Sequence, residues 1–149
     1  MGRRKYSSKK VIDEVFGEFD SQTEYLYFIE LKNKERMGEI SDLKRQEEFL
    51  LVPSFKDNYG KTIRKMVYIS DYTFLDNEGK KHIIDVKGSL YNETNEFKVK
   101  MKMCKYLNPD LIFEVIVKIK NKWYNLENPQ EKKQYALDYK ERKNNKKKK

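Results

Sequence analysis

Two aspartates and a lysine in the middle of this 149-residue chain have the types and spacing to do chemistry. Asp85 and Lys87 lie two residues apart in a stretch, 80–87, that reads as a strand. Their side chains should therefore leave one face together at its end, just before Gly88. Asp71 falls in the strand expected before it, 62–75, among Val67, Ile69 and Phe74, which the pattern expects to be buried. Aspartate is disfavoured inside strands and costly to bury without a partner. A hard cation such as Mg2+, or Mn2+ in its place, is one such partner, because Mg2+ binds through one or two carboxylates, waters and a substrate phosphate. The plainer alternative for Asp85 and Lys87 is an exposed cross-strand ion pair. Asp71 weighs against it, since a third charge amid apolar neighbours is hard to explain as surface.

The elements that must position these residues can be read from periodicity and punctuation. Residues 11–19 suggest a hairpin around Gly17, and 20–37 a helix capped by Ser21 and stopped at Gly38. Phe49 to Val52 favour a strand, 54–61 a polar loop, and 62–75 one long β-branched and aromatic strand. The turn 76–79 joins it to the returning strand 80–87. A second helix is expected over 95–107, a buried strand over 111–119, a short extended piece at Trp123-Tyr124, and a terminal helix over 129–140. The order implies a mixed α/β domain, one sheet with helices packed on it.

Size and charge agree with a single domain. The 38% apolar fraction suffices for one core, while 38% charged residues put much of the chain at the surface. Of the net charge of +9, the first ten residues carry +5 and residues 140–149 carry +6, which leaves −2 for the body at 11–139. The expected organisation is a basic arm at 1–10, a single domain over 11–139 and a lysine-rich tail at 140–149. A mildly acidic body between basic ends suits a protein that touches a polyanion and holds metal ions with carboxylates. The small arginine share, 6 of 33 basic residues, equally fits an A+T-rich coding bias. The lone Cys104 excludes an internal disulfide and a four-cysteine zinc site, and no apolar run suits a signal peptide or a membrane span. A cytoplasmic protein is the expectation.

The run Ile69-Ser70-Asp71-Tyr72, a turn, then Ile84-Asp85-Val86-Lys87-Gly88 resembles the core of the PD-(D/E)xK nucleases. Phe19-Asp20-Ser21-Gln22-Thr23-Glu24, Gly38-Glu39-Ile40-Ser41-Asp42-Leu43 and Phe97-Lys98-Val99-Lys100 are similar to a phage-encoded branch of that superfamily, described as endonucleases resembling Holliday-junction resolvases. The resemblance spans roughly residues 6–117. It implies a restriction-endonuclease-like core in which Asp71 and Asp85 hold Mg2+ with help from the Val86 carbonyl. Lys87 would orient or activate the attacking water and steady charge on the phosphate. Ser70 replaces the proline of the literal motif, and Asp85 the more frequent glutamate. The resemblance also gives Glu24 a metal-side role, although Ser21-x-x-Glu24 reads as a capping box on its own terms.

Lys98, Lys102 and Lys105 should form one stripe on the second helix, with Lys100 on another face and aimed at the site. A phosphate-contacting stripe and an ordinary solvated face are both open readings. His82, the single histidine, is out of phase with Asp85 and reads as structural or surface. No Ser/His/Asp triad or phosphate-cradling glycine loop is present. The leading expectation is a Mg2+-dependent endonuclease for branched DNA, encoded by a phage or prophage and acting as a homodimer. Its rival is a non-catalytic basic DNA-binding protein on a degenerate nuclease fold.

Overall fold

In the computed structural model, which describes residues 9–149, Ser21 caps helix α1 (Gln22–Arg36), its hydroxyl accepting from the Glu24 amide at 3.1 Å. All but the last two residues of the expected basic arm lie outside the described residues. A hairpin of β1 (Val11–Asp13) and β2 (Gly17–Phe19) precedes the helix, as the pattern predicts. Tyr27, Phe28 and Leu31 form the buried face of α1, whereas Leu26 is on the solvent side.

The central sheet has five strands in the order β11-β10-β9-β8-β3. They are β3 (Ser41–Arg45), β8 (Tyr72–Leu75), β9 (Lys81–Val86), β10 (Ile112–Ile119) and β11 (Lys122–Asn125). β9 and β10 run parallel, and the other neighbours are antiparallel. A parallel pair needs a crossover, and helix α2 (Asn95–Leu107) supplies it, capped by the Thr94 hydroxyl and closed at Asn108. Gly79, at φ +77, lets the β8–β9 turn close tightly.

Alternation along the strands divides the core between the two faces of the sheet. Ile83, Val115 and Val117 face Phe97, Cys104 and Tyr135 on one side, where α2 and α3 (Pro129–Lys147) lie. Ile84, Val86 and Ile116 face Phe28, Leu31 and Tyr72 on the side of α1. The architecture is the expected mixed fold of one main sheet flanked by helices. No helix among the described residues is long and apolar enough to cross a membrane.

Two expectations need correction. Residues 62–75 are not one strand but three, β6 (Thr62–Ile63), β7 (Met66–Ile69) and β8, and the expected loop before them contains β5 (Phe55–Lys56), which pairs with β6. β7 leaves the main sheet to pair with β4 (Glu48–Val52), and only one face of that ribbon is covered. Ile69, expected to be buried, lies opposite Glu48 and is 53% exposed. The lysine-rich end is not an unstructured tail either. α3 continues to Lys147, because lysine is a good helix former and its charge at the last turn complements the helix dipole.

Candidate functional site

Asp71 sits where a long hairpin kinks. β3 and β4 are separated at Gln46-Glu47, and β7 and β8 at Ser70-Asp71, so both strands step out of the main sheet at the same level. The step is fixed by the backbone: the Gln46 amide donates to the Asp71 carbonyl and the Ser70 amide to the Glu47 carbonyl, both at 3.0 Å. Gln46 adopts φ +52 to make the bend. The Asp71 amide still donates to the Ile84 carbonyl, which holds the residue against the returning strand. Its carboxylate accepts from the Val86 amide at 2.7 Å and so lies beside the end of β9.

Asp85 and Lys87 leave β9 on the face of Ile83, as their spacing required. The Lys87 amine stands 2.7 Å from Asp85 Oδ1 and 4.0 Å from the centre of the Phe97 ring on α2. Asp85 is 6% exposed, and its Oδ2 accepts from the Tyr68 hydroxyl at 3.0 Å. Its Oδ1 is buried and has the Lys87 ammonium as its ionic partner. Tyr68 was absent from the sequence reading of the site. It points inward by alternation opposite Phe49, and only the pairing of β4 with β7 reveals where its hydroxyl goes.

These residues line one cleft of about 420 Å3, together with Glu24, Phe97 and Lys100. Burial, then Asp85 and Glu24, push the Asp71 carboxyl well above the ordinary aspartate range, against the Val86 amide and Lys87. The Glu24 amide donates to the Ser21 hydroxyl in the helix cap, and its side chain lines the cleft. There burial, Asp20 and Asp85 raise its pKa, while the Asp20 amide and Ser21 hydroxyl favour its charged form. The Tyr72 hydroxyl donates to the Glu24 carbonyl at 2.9 Å and ties the first turn of α1 to β8. Burial, Asp71 and Glu24 in turn push the Tyr72 phenol above its usual value.

The lysines of α2 divide differently from the expected stripe. Lys98 and Lys102 are exposed, but Lys105 is ion-paired with Glu127 and so is engaged within the fold. Lys100 lines the cleft, on the face expected for it, and pairs with Glu96 at 3.1 Å. His82 is structural, its two nitrogens bonded to Asp76 and Glu114 at the far end of β9.

The donor set fits a hard divalent cation. The cleft is lined by the carboxyl groups of Glu24, Asp71, Asp85 and Glu96 and by the amines of Lys87 and Lys100, so acids outnumber bases there. Mg2+ asks for only one or two carboxylates and takes the rest of its shell from water and phosphate. Asp71 and Asp85 can supply that number. Among the described residues no group of three or more His, Cys, Asp or Glu side chains is placed to hold a metal ion.

Residues 3–125 match the model of a family described as a protein of unknown function, DUF1064, and the chain belongs to that family. The matched segment holds the whole cluster and stops before α3. The chain matches no curated protein and no solved structure.

Proposed function

We propose that this DUF1064 protein is a divalent-cation-dependent endonuclease that hydrolyses DNA phosphodiesters, with branched DNA as its substrate. The observation that carries the proposal is the convergence of Asp71, the buried Asp85 and Lys87 on one cleft, with the Lys87 amine 2.7 Å from Asp85 Oδ1. Asp71 and Asp85 are both buried beside one lysine, and negative charge in excess of its partner is costly to bury, which is a reason to expect a cation there. Asp71 and Asp85 would hold Mg2+ or Mn2+, with the Val86 carbonyl as a further oxygen. A bound cation would supply activation of water and relief of phosphate charge at neutral pH.

The chain's own groups account for the rest. Phe97 and Asp85 hold the Lys87 amine at the cleft, where it can hydrogen-bond a phosphate oxygen and steady the charge that develops there. Tyr68 fixes the Asp85 carboxylate from behind. Glu24 borders the opening and can accept a proton from water, its raised pKa bringing it closer to neutrality. Lys98, Lys100 and Lys102 offer phosphate contacts beside the cleft. Paired cuts across a symmetric junction call for two sites related by a twofold axis, so a homodimer is part of the proposal.

The Lys87–Asp85 ion pair favours a second reading, a DNA-binding protein whose cluster is merely neutralised. Incubating the full chain with junction, flap and linear duplex DNA, in Mg2+ or in chelator, separates the two. The nuclease reading expects cation-dependent cleavage, fastest on the junction and lost in Lys87→Ala with binding retained. Binding without cleavage of any substrate in Mg2+ or Mn2+ would leave the second reading standing.

A further inference from the structure

A second cavity adjoins the cleft and shares Glu24, Val86 and Lys87 with it. This groove has a volume of about 890 Å3 and runs between the first turn of α1, the segment after β9 and the outer half of α3. Its α3 wall is built from Tyr139, Arg142, Lys143 and Lys146. Those positions are spaced i, i+3, i+4 and i+7, so one face of the helix is turned into the groove. The other flank of α3 carries Asp138 and Glu141 into a different pocket, with Arg142 on the border between the two.

We infer that this groove holds the phosphodiester backbone of the nucleic-acid strand as it leaves the cleft, with Arg142, Lys143 and Lys146 on its phosphates. The inference names the substrate track of the proposed nuclease site and rests on that reading for the strand's direction. The cationic wall is its own evidence. Neither Arg142 nor Lys146 has an ion pair within the described residues, and Lys143 lies over the Tyr139 ring, 5.1 Å from its centre. Arg142 and Lys146 are one helical turn apart, about 6 Å along the axis, which spaces their charges to meet neighbouring phosphates. Glu24 is the one acid on the groove, and it stands at the end where the cleft begins. A polyanion lying on α3 therefore meets positive charge along its length and carboxylates only where the cation would sit. The lysine-rich end thus reaches the cleft's edge.

The test compares two full-length variants with equal loss of charge. Arg142→Gln/Lys146→Gln empties the groove wall, whereas Lys148→Gln/Lys149→Gln neutralises lysines beyond it. Binding of a short labelled DNA strand would be measured against salt in chelator, so that no cleavage intervenes, with circular dichroism to verify folding. The groove variant should lose about tenfold or more in affinity, with a salt slope shallower by about 1.4, two single-strand contacts at about 0.7 each. The outer variant should stay within about twofold of the wild type. Equal losses in the two variants, or no loss in the groove variant, would overturn the inference. A protein that cuts nothing yet shows the difference between variants would refute the nuclease and keep the groove, and cutting without that difference would do the reverse.

Discussion

Strand β9 carries an acid–base cluster near each end, and the two differ in how completely their polar atoms are satisfied. At the start, His82 lies between Asp76 at 2.9 Å and Glu114 at 3.0 Å and stacks on Phe74 at 4.8 Å. Asp76 also accepts from the amides of Glu78 and Lys80, and Glu114 from the Asn125 side chain. At the other end, Asp85 is more deeply buried than those carboxylates, shares its cleft with Asp71 and Glu24, and has the Lys87 ammonium as the ionic partner of its Oδ1. The residue types barely differ. A satisfied cluster stabilises the fold and asks for nothing more, whereas one with surplus buried negative charge is stable only with a ligand or at a cost.

The largest expected effect is on the unsatisfied end. Lys87→Ala or Asp85→Asn should lower single-turnover cleavage by about a hundredfold to a thousandfold, the usual loss when one preorganised electrostatic group is removed. Binding to a junction should change little, because affinity comes from many phosphate contacts. Equal loss of binding and cutting would make these residues ordinary contacts and erase the contrast.

The satisfied end should show the opposite pattern. His82→Ala leaves Asp76 and Glu114 facing each other without their shared donor, and should cost about 1–3 kcal/mol by denaturant unfolding with cleavage per folded molecule retained. Glu114, followed by Asp76 and against the effect of burial, raises the His82 pKa above its usual value near 6.5. A raised histidine pKa means that the folded state holds the proton more tightly. Its stability contribution is therefore complete below about pH 6.5 and lost as pH rises through the folded-state value. Unfolding free energies of the wild type and His82→Ala should converge over that rise, and parallel curves would mean His82 is not the titrating group.

A smaller effect sharpens the contrast by its sign. Asp71→Asn removes one of the crowded charges while its side-chain oxygen can still accept from the Val86 amide. The cation-free variant should be more stable than the wild type by about 1 kcal/mol, or roughly 2–4 °C in melting temperature, and inactive. A destabilised variant would place Asp71 with His82 among the structural groups. The smallest effect on chemistry is expected from deleting residues 144–149. That removes four lysines, which should flatten the salt slope on duplex DNA by up to about 0.9 for each lost contact. Turnover at saturating DNA should stay within a few-fold of the wild type.

Local chemistry made much of this legible. Helix α2 was bounded correctly because Thr94 and Asn108 mark its ends, and the β8–β9 hairpin because Asp76 and Gly79 are turn residues at the required places. The convergence of Asp85 with Lys87 followed from the two-residue period. The kink at Asp71 did not show, because Ser70 and Asp71 break the strand only through bonds to Glu47, Gln46 and Ile84, all distant in sequence. Tyr68 was unreadable as a partner of Asp85 for the same reason, its role being set by the register of β7 on β4. The lysine-rich end misled in another way. A run of like charge resembles a solvated tail, yet Tyr135 is buried at 1% exposure and anchors α3, which then carries the next three turns over the groove.

Mn2+ titration of the labelled protein by nuclear magnetic resonance tests the contrast most directly, since the paramagnetic ion broadens only the amides near where it binds. The amides of Asp71, Val86 and Lys87 should broaden first and together, while those of Asp76, His82 and Glu114 keep their intensity. Asp85→Asn should abolish the effect. Broadening centred on the His82 end, or spread evenly over the acidic surface, would contradict the assignment of the cation to the unsatisfied cluster.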